Sequence, residues 1–170
     1  MQPEALVERD RVELLQSMPV FGGVLAGPLV QLLERARTAE VPRGELFFRE
    51  GDAGSSAFVL EEGRVAILKR WRDDDYLLRS LEAGDCFGEV ALLDFFPRSA
   101  SVVAAEDCRA LEFHARDLLD IASKDVEQFS MIYMNIAREL ARRLREANEL
   151  LFQAKVRYRD VAEGYAFRTT

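Results

Sequence analysis

Between Glu40 and about Phe113 the short apolar runs "LFFRE", "AFVLEE", "RVAILKRW", "YLLRSLE", "ASVVAAE" and "RALEFH" are separated by the turn signals "PRGE", "EGDAGSS", "EEGR", "DDD" and "EAGD". Short, regularly spaced runs of this kind read as strands and predict a β-sandwich or jelly roll. On either side the spacing becomes helical. Leu6, Val7, Leu14 and Leu15 mark a helix over residues 4 to 17, which Gly22-Gly23 ends. A second helix begins near Pro28, a residue suited to a first helical turn, and gathers Leu29, Leu32, Leu33 and Ala36 on one side.

After Ala115 the segment "ARDLLDIAS" reads as a short helix, and Lys124 to about Ala154 contains no Gly or Pro and reads as one long helix. Some 30 residues of helix extend about 45 Å, farther than a small β domain can cover. Val126, Tyr133, Leu140, Ala147 and Ala154 recur every seventh residue. Phe129, Ile136, Leu144 and Leu151 supply a second row. Such rows suit a two-stranded coiled-coil seam and a homodimer; the same stripe can also pack on its own core.

A chain of 170 residues, 49% apolar and 31% charged, suffices for one domain with a core and one element extending beyond it. No apolar run approaches the roughly 18 residues that span a bilayer, and the acidic, amphipathic N-terminus lacks the features of a signal peptide. The net charge of -7 supplies no global field for nucleic acid. Cys86 and Cys108 fit neither a zinc site nor a disulfide framework, which makes a reducing cytoplasm the simplest setting. Both read as small buried residues, Trp71 as a core residue, and Asp73 to Asp75 as a solvated hairpin tip and no metal site. His114, the sole histidine, stands where it can cap a helix or face water. No nucleophile, acid-base pair or metal cluster for catalysis emerges.

The stretch "CFGEVALLDFFPRSASVVAAE", residues 86 to 106, is more elaborate than a strand requires. Gly84 and Gly88 bracket "DCF", and "EVALL" has the length of one helical turn, whose leading N–H groups favour an anion. Arg98 follows nine residues after Glu89, and its planar fork suits the paired oxygens of a phosphodiester. The Ser99 hydroxyl and the Ala100 N–H are further donors. A carboxylate beside a phosphate is repulsive unless it serves another part of the ligand, and a ribose hydroxyl qualifies for Glu89. A direct Glu89–Arg98 pair is the alternative.

"FGEVALLDFFPRSASVVA" resembles the phosphate-binding cassette of cyclic nucleotide-binding domains, shared by bacterial catabolite activator proteins, regulatory subunits of cyclic AMP-dependent kinase and cyclic nucleotide-gated channels. "LFFREGDAGSSAFVLEEGRVAI" is similar to that family's strand-loop-strand, with glycines at 51 and 63, and roughly residues 15 to 150 are covered. The resemblance implies a mainly β fold with flanking helices, an eight-stranded β jelly roll (double-stranded β-helix) with N-terminal helices and a long C-terminal dimerisation helix. Its implied divisions are helices over 1–38, the jelly roll over 39–114 with the cassette at 84–104, helices over 115–155, and a short tail over 156–170.

By the same resemblance Glu89 accepts from the ribose 2'-hydroxyl, Arg98 pairs with the cyclic phosphate, and Ser99 with the backbone of Gly88 and Ala100 completes the phosphate site. Phe87, Val90 and Ala91 line it. On the long helix, Arg143 matches an arginine that engages the cassette glutamate, and Asn148 matches a purine contact from the partner subunit. Asn148 as a solvated helix residue is the other reading. The implied ligand is cyclic AMP, or cyclic GMP, with no metal. The implied role is a sensor that is not an enzyme, forms a homodimer through residues 124–155 and signals to an effector protein. About 16 residues follow Ala154, too few for a helix-turn-helix, so DNA binding by this chain is not expected. The rival reading is a dimeric scaffold whose cassette is degenerate or takes cyclic di-GMP.

Overall fold

A computed structural model describes residues 3–157, and the chain divides into two compact units that meet within its last helix, between Ile136 and Ala137. The side chains of Leu6 and Val7, and the tail from residue 158, lie outside the described residues.

In the first unit, helix α1 (Pro3–Ser17), a 3-10 turn (Pro19–Phe21) and helix α2 (Ala26–Leu33) lead into eight strands. These are β1 (Arg37–Val41), β2 (Leu46–Phe48), β3 (Ser56–Glu62), β4 (Arg64–Trp71), β5 (Asp74–Glu82), β6 (Cys86–Phe87), β7 (Ser101–Ala104) and β8 (Cys108–His114). Helix α3 (Val90–Asp94) stands between β6 and β7, and α4 (Ala115–Lys124) and α5 (Val126–Arg157) follow β8. The strands form two antiparallel sheets, β1-β8-β3-β6 and β2-β7-β4-β5, which are not joined into a closed barrel. The mainly β jelly roll with flanking helices is as the sequence predicts.

The period-two geometry of strands explains the layering. Phe58 and Leu60 on β3, Ala110 on β8 and Phe87 on β6 face Val65, Leu81 and Val102 of the other sheet to form the interior between them. The alternate residues Ala57, Val59, Leu111 and Phe113 are fully buried too. Phe113 meets Phe21 of the 3-10 turn at 6.1 Å between ring centres, so helices cover the outer face of this sheet. A sheet covered on both sides reads as a continuous apolar run, as "AFVL" does. Helix α1 is fastened by Arg11, which donates to both carboxylate oxygens of buried Glu61, at 2.7 and 3.0 Å.

Four expectations require correction. Leu14 is 39% exposed, while Val12 and Leu15 form the buried side of α1. The long helix begins at Val126 and not at Lys124, because Asp125 leaves helical geometry and its carboxylate accepts from the Gln128 N–H at 3.1 Å, capping α5. Trp71 is 66% exposed at the β4–β5 hairpin, whose solvated end carries Asp73 in the turn and Asp74 and Asp75 opposite Trp71 and Arg70. Ile136, assigned to the seam, is buried with Ile132 in the first unit, whereas Leu144 and Leu151 of the second unit are exposed.

Candidate functional site

Arg98 is the centre of the site. It precedes β7 and is 6% exposed. Its backbone is fixed by the β2–β3 loop, since its N–H donates to the Asp52 carbonyl at 2.8 Å and its carbonyl accepts from Gly51 at 2.9 Å. The side chain turns inward. Nη1 donates to the carbonyls of Ser56 (2.7 Å) and Gly88 (2.9 Å), and Nη2 donates to the Ser56 hydroxyl at 3.0 Å. The guanidinium carbon lies 4.1 Å from the Phe48 ring centre and 5.9 Å from that of Phe58. Phe58 in turn stacks on Phe87 at 5.2 Å.

Two glycines make this pose possible. A Cβ at Gly54 would stand 2.5 Å from Arg98 Nε, and one at Gly88 would stand 2.7 Å from Nη1. Gly88 also has φ +75°, a conformation that side chains rarely adopt.

The site is a buried cation surrounded by neutral acceptors. Every hydrogen bond of the Arg98 side chain goes to Ser56 or Gly88, and Nε is buried without a partner. Burial lowers the Arg98 pKa, and the charges of Glu112, Asp52 and Glu89 oppose that shift. A direct Glu89–Arg98 hydrogen bond is not formed. Glu89, 3% exposed, occupies the residue before α3.

Phe87, Gly88, Glu89, Val90 and Ala91 run from β6 into α3, and the Arg98–Gly88 bond joins them to Arg98, Ser99 and Ala100. Ala91 and Ala100 are buried, whereas Ser99 is exposed and its carbonyl accepts from Lys69 Nζ at 2.8 Å. Lys69 also bridges to Glu50 at 2.6 Å, so β4 and the β2–β3 loop hold this end of the cassette together. Arg143 and Asn148 belong to the second unit. There Glu139 accepts from Arg143 Nε at 2.7 Å, and Asn148 is exposed. Phe48, Gly54 and Ser56 were not singled out in the sequence; the quoted "LFFREGDAGSSAFVL" contains all three, but only the fold shows that they enclose Arg98. Among the described residues no group of three His, Cys, Asp or Glu side chains could hold a metal.

The family model described as cyclic nucleotide-binding domain matches residues 38–125, more than half of the chain. The chain belongs to the cyclic nucleotide-binding domain family. A relative named cyclic AMP receptor protein, from Thermus thermophilus, is 31% identical over 135 residues, covering 79% of this chain and 61% of the relative. A CRP-like cAMP-activated global transcriptional regulator of Mycobacterium tuberculosis is 31% identical over 140 residues, covering 82% of this chain and again 61% of the relative. The chain thus spans about three-fifths of the length of these curated relatives. Among solved structures, a cyclic nucleotide-binding domain from Methylobacillus flagellatus superposes with a TM-score of 0.76 at 20% identity, covering 88% of this chain and 84% of the other. The Thermus thermophilus catabolite activator protein gives 0.69 at 31% identity, covering 81% and 63%.

Proposed function

We propose that this chain is a sensor of a cyclic mononucleotide, cyclic AMP in preference to cyclic GMP, and that it regulates a partner and catalyses no reaction. The observation that carries the reading is Arg98: a buried guanidinium inside the cassette, bonded only to neutral groups and with Nε unsatisfied. A group of this kind is suited to a ligand anion, because a phosphate supplies both the missing charge and the missing acceptor. Ser99 and the backbone of Gly88 and Ala100 add donors, Phe87, Val90 and Ala91 line the site, and Glu89 takes the ribose 2'-hydroxyl. Names that specify cyclic AMP among the relatives support the choice of purine.

The family resemblance assigns Arg143 to the cassette glutamate and Asn148 to the purine bound by the other protomer. Exposed Leu144, Leu150, Leu151 and Phe152 on α5 supply an apolar surface for a homodimer. Signal output is a rearrangement of that helix, transmitted to an effector protein.

Isothermal calorimetry on the full chain with cyclic AMP and cyclic GMP tests the reading. Saturable binding, tighter for cyclic AMP, is the expected result; no heat from either nucleotide up to millimolar concentration overturns it.

A further inference from the structure

The interior between the two sheets contains a carboxylate for which packing gives no reason. Glu112 is a residue of β8. Its cross-strand partner on β3 is Phe58, just as Ala110, two residues earlier, is the partner of Leu60. Phe58, Leu60 and Ala110 are all members of the interior core, so Glu112 shares their inward face. It is half-buried, and among the described residues it forms no hydrogen bond or ion pair, even with Arg37, its neighbour on β1.

Arg98 crosses the same strip of β3. Its guanidinium donates to Ser56 and lies over Phe58, whose cross-strand partner is Glu112. Of the three charges that favour its protonated form against the penalty of burial, Glu112 is the largest, ahead of Asp52 and Glu89. A buried cation and an inward carboxylate therefore attract one another without touching, each short of a partner. Attraction between partly buried groups is screened less than attraction through water.

We infer that Glu112 is the resident counter-charge of Arg98 in the ligand-free protein, and that the ligand's phosphate takes over this role on binding. The inference rests on the proposed nucleotide site and adds a residue outside the cassette that sets its affinity. Glu112 steadies the empty site and opposes the filled one, since a carboxylate near the phosphate repels it. The same side chain thereby prevents the site from retaining an anion at low concentration.

Two measurements on the full chain test this. Calorimetry with cyclic AMP should show Glu112→Gln binding about three- to tenfold more tightly than the wild type. Unchanged or weaker binding overturns the exchange, and weaker binding would make Glu112 a ligand contact instead. Without ligand, a double-mutant cycle with Arg98→Met should show Glu112→Gln lowering the urea midpoint in the wild-type background but not in the Arg98→Met background. An equal effect in both overturns the counter-charge. A wild-type chain that binds neither nucleotide overturns the proposed function and with it the exchange; the cycle still decides whether Glu112 and Arg98 are coupled.

Discussion

The guanidinium of Arg98 lies over the ring of Phe48, with its central carbon 4.1 Å from the ring centre. An aromatic face offers partial negative charge without a counter-ion, so it holds a cation in place and leaves its charge available to a ligand. This contact accounts for an arginine that is buried and still lacks a partner at Nε.

Arg98→Ala removes the charge that the phosphate requires. Cyclic AMP affinity should fall by about 2 to 5 kcal/mol, measured by calorimetry. Unaltered affinity would place the phosphate elsewhere.

Phe48→Leu keeps an apolar side chain but removes the ring. Loss of the cation–aromatic contact should cost about 1 to 2 kcal/mol of folding stability, read from urea denaturation. A variant as stable as the wild type would show that the stacking contributes nothing.

Gly54→Ala introduces a Cβ where only 2.5 Å separates it from Arg98 Nε. The arginine must shift, and cyclic AMP affinity should drop at least tenfold, a change of about 1.4 kcal/mol. Equal affinity in the two proteins would mean that the arginine has room to move without consequence.

Arg11→Ala tests the attachment of α1. Glu61, with a fully buried side chain, would keep only Arg109, at 3.4 Å, as an ionic partner. A stability loss of about 1 to 3 kcal/mol is expected by chemical denaturation, most of it from the carboxylate left under-satisfied. A loss too small to measure would mean that Arg109 alone satisfies Glu61.

Glu139 gives the second unit a pH signature. Desolvation by burial acts to raise its pKa, but hydrogen bonds from Arg142 and Arg143 outweigh it and the net shift is downward. A lowered folded-state value means that the interaction stabilises the protein fully above the ordinary carboxylate range and is lost as pH falls through the folded-state value. The stability advantage of the wild type over Glu139→Gln should therefore be constant near neutrality and fade as pH falls below the ordinary carboxylate range. Paired thermal melts across that range supply the measurement, and a pH-independent difference would contradict it.

The jelly roll was legible because turn signals separate its strands, and the cassette because glycines, an acid, a Pro-Arg pair and a strand follow one another within 21 residues. Contacts between distant segments were not legible. Gly54 and Ser56 precede Arg98 by 44 and 42 residues and enclose it only once β3 lies beneath it. Trp71 was misplaced because aromatic residues are usually buried, yet a hairpin end projects beyond the sheet and has nothing to cover it. Ile136 misled for another reason. A heptad pattern records which residues share a helix face, and the same face can serve the first unit at Ile132 and Ile136 and remain open further along.

Trp71, the one tryptophan in the chain, stands largely in water at the end of the β4–β5 hairpin, with Arg72 5.9 Å from its ring centre. Its fluorescence is therefore a built-in optical gauge of that hairpin alone. Emission at a long wavelength and open to quenching by iodide would characterise the free protein. A blue shift on addition of nucleotide would time the arrival of any surface that closes over the tip, with no dye attached and no residue changed.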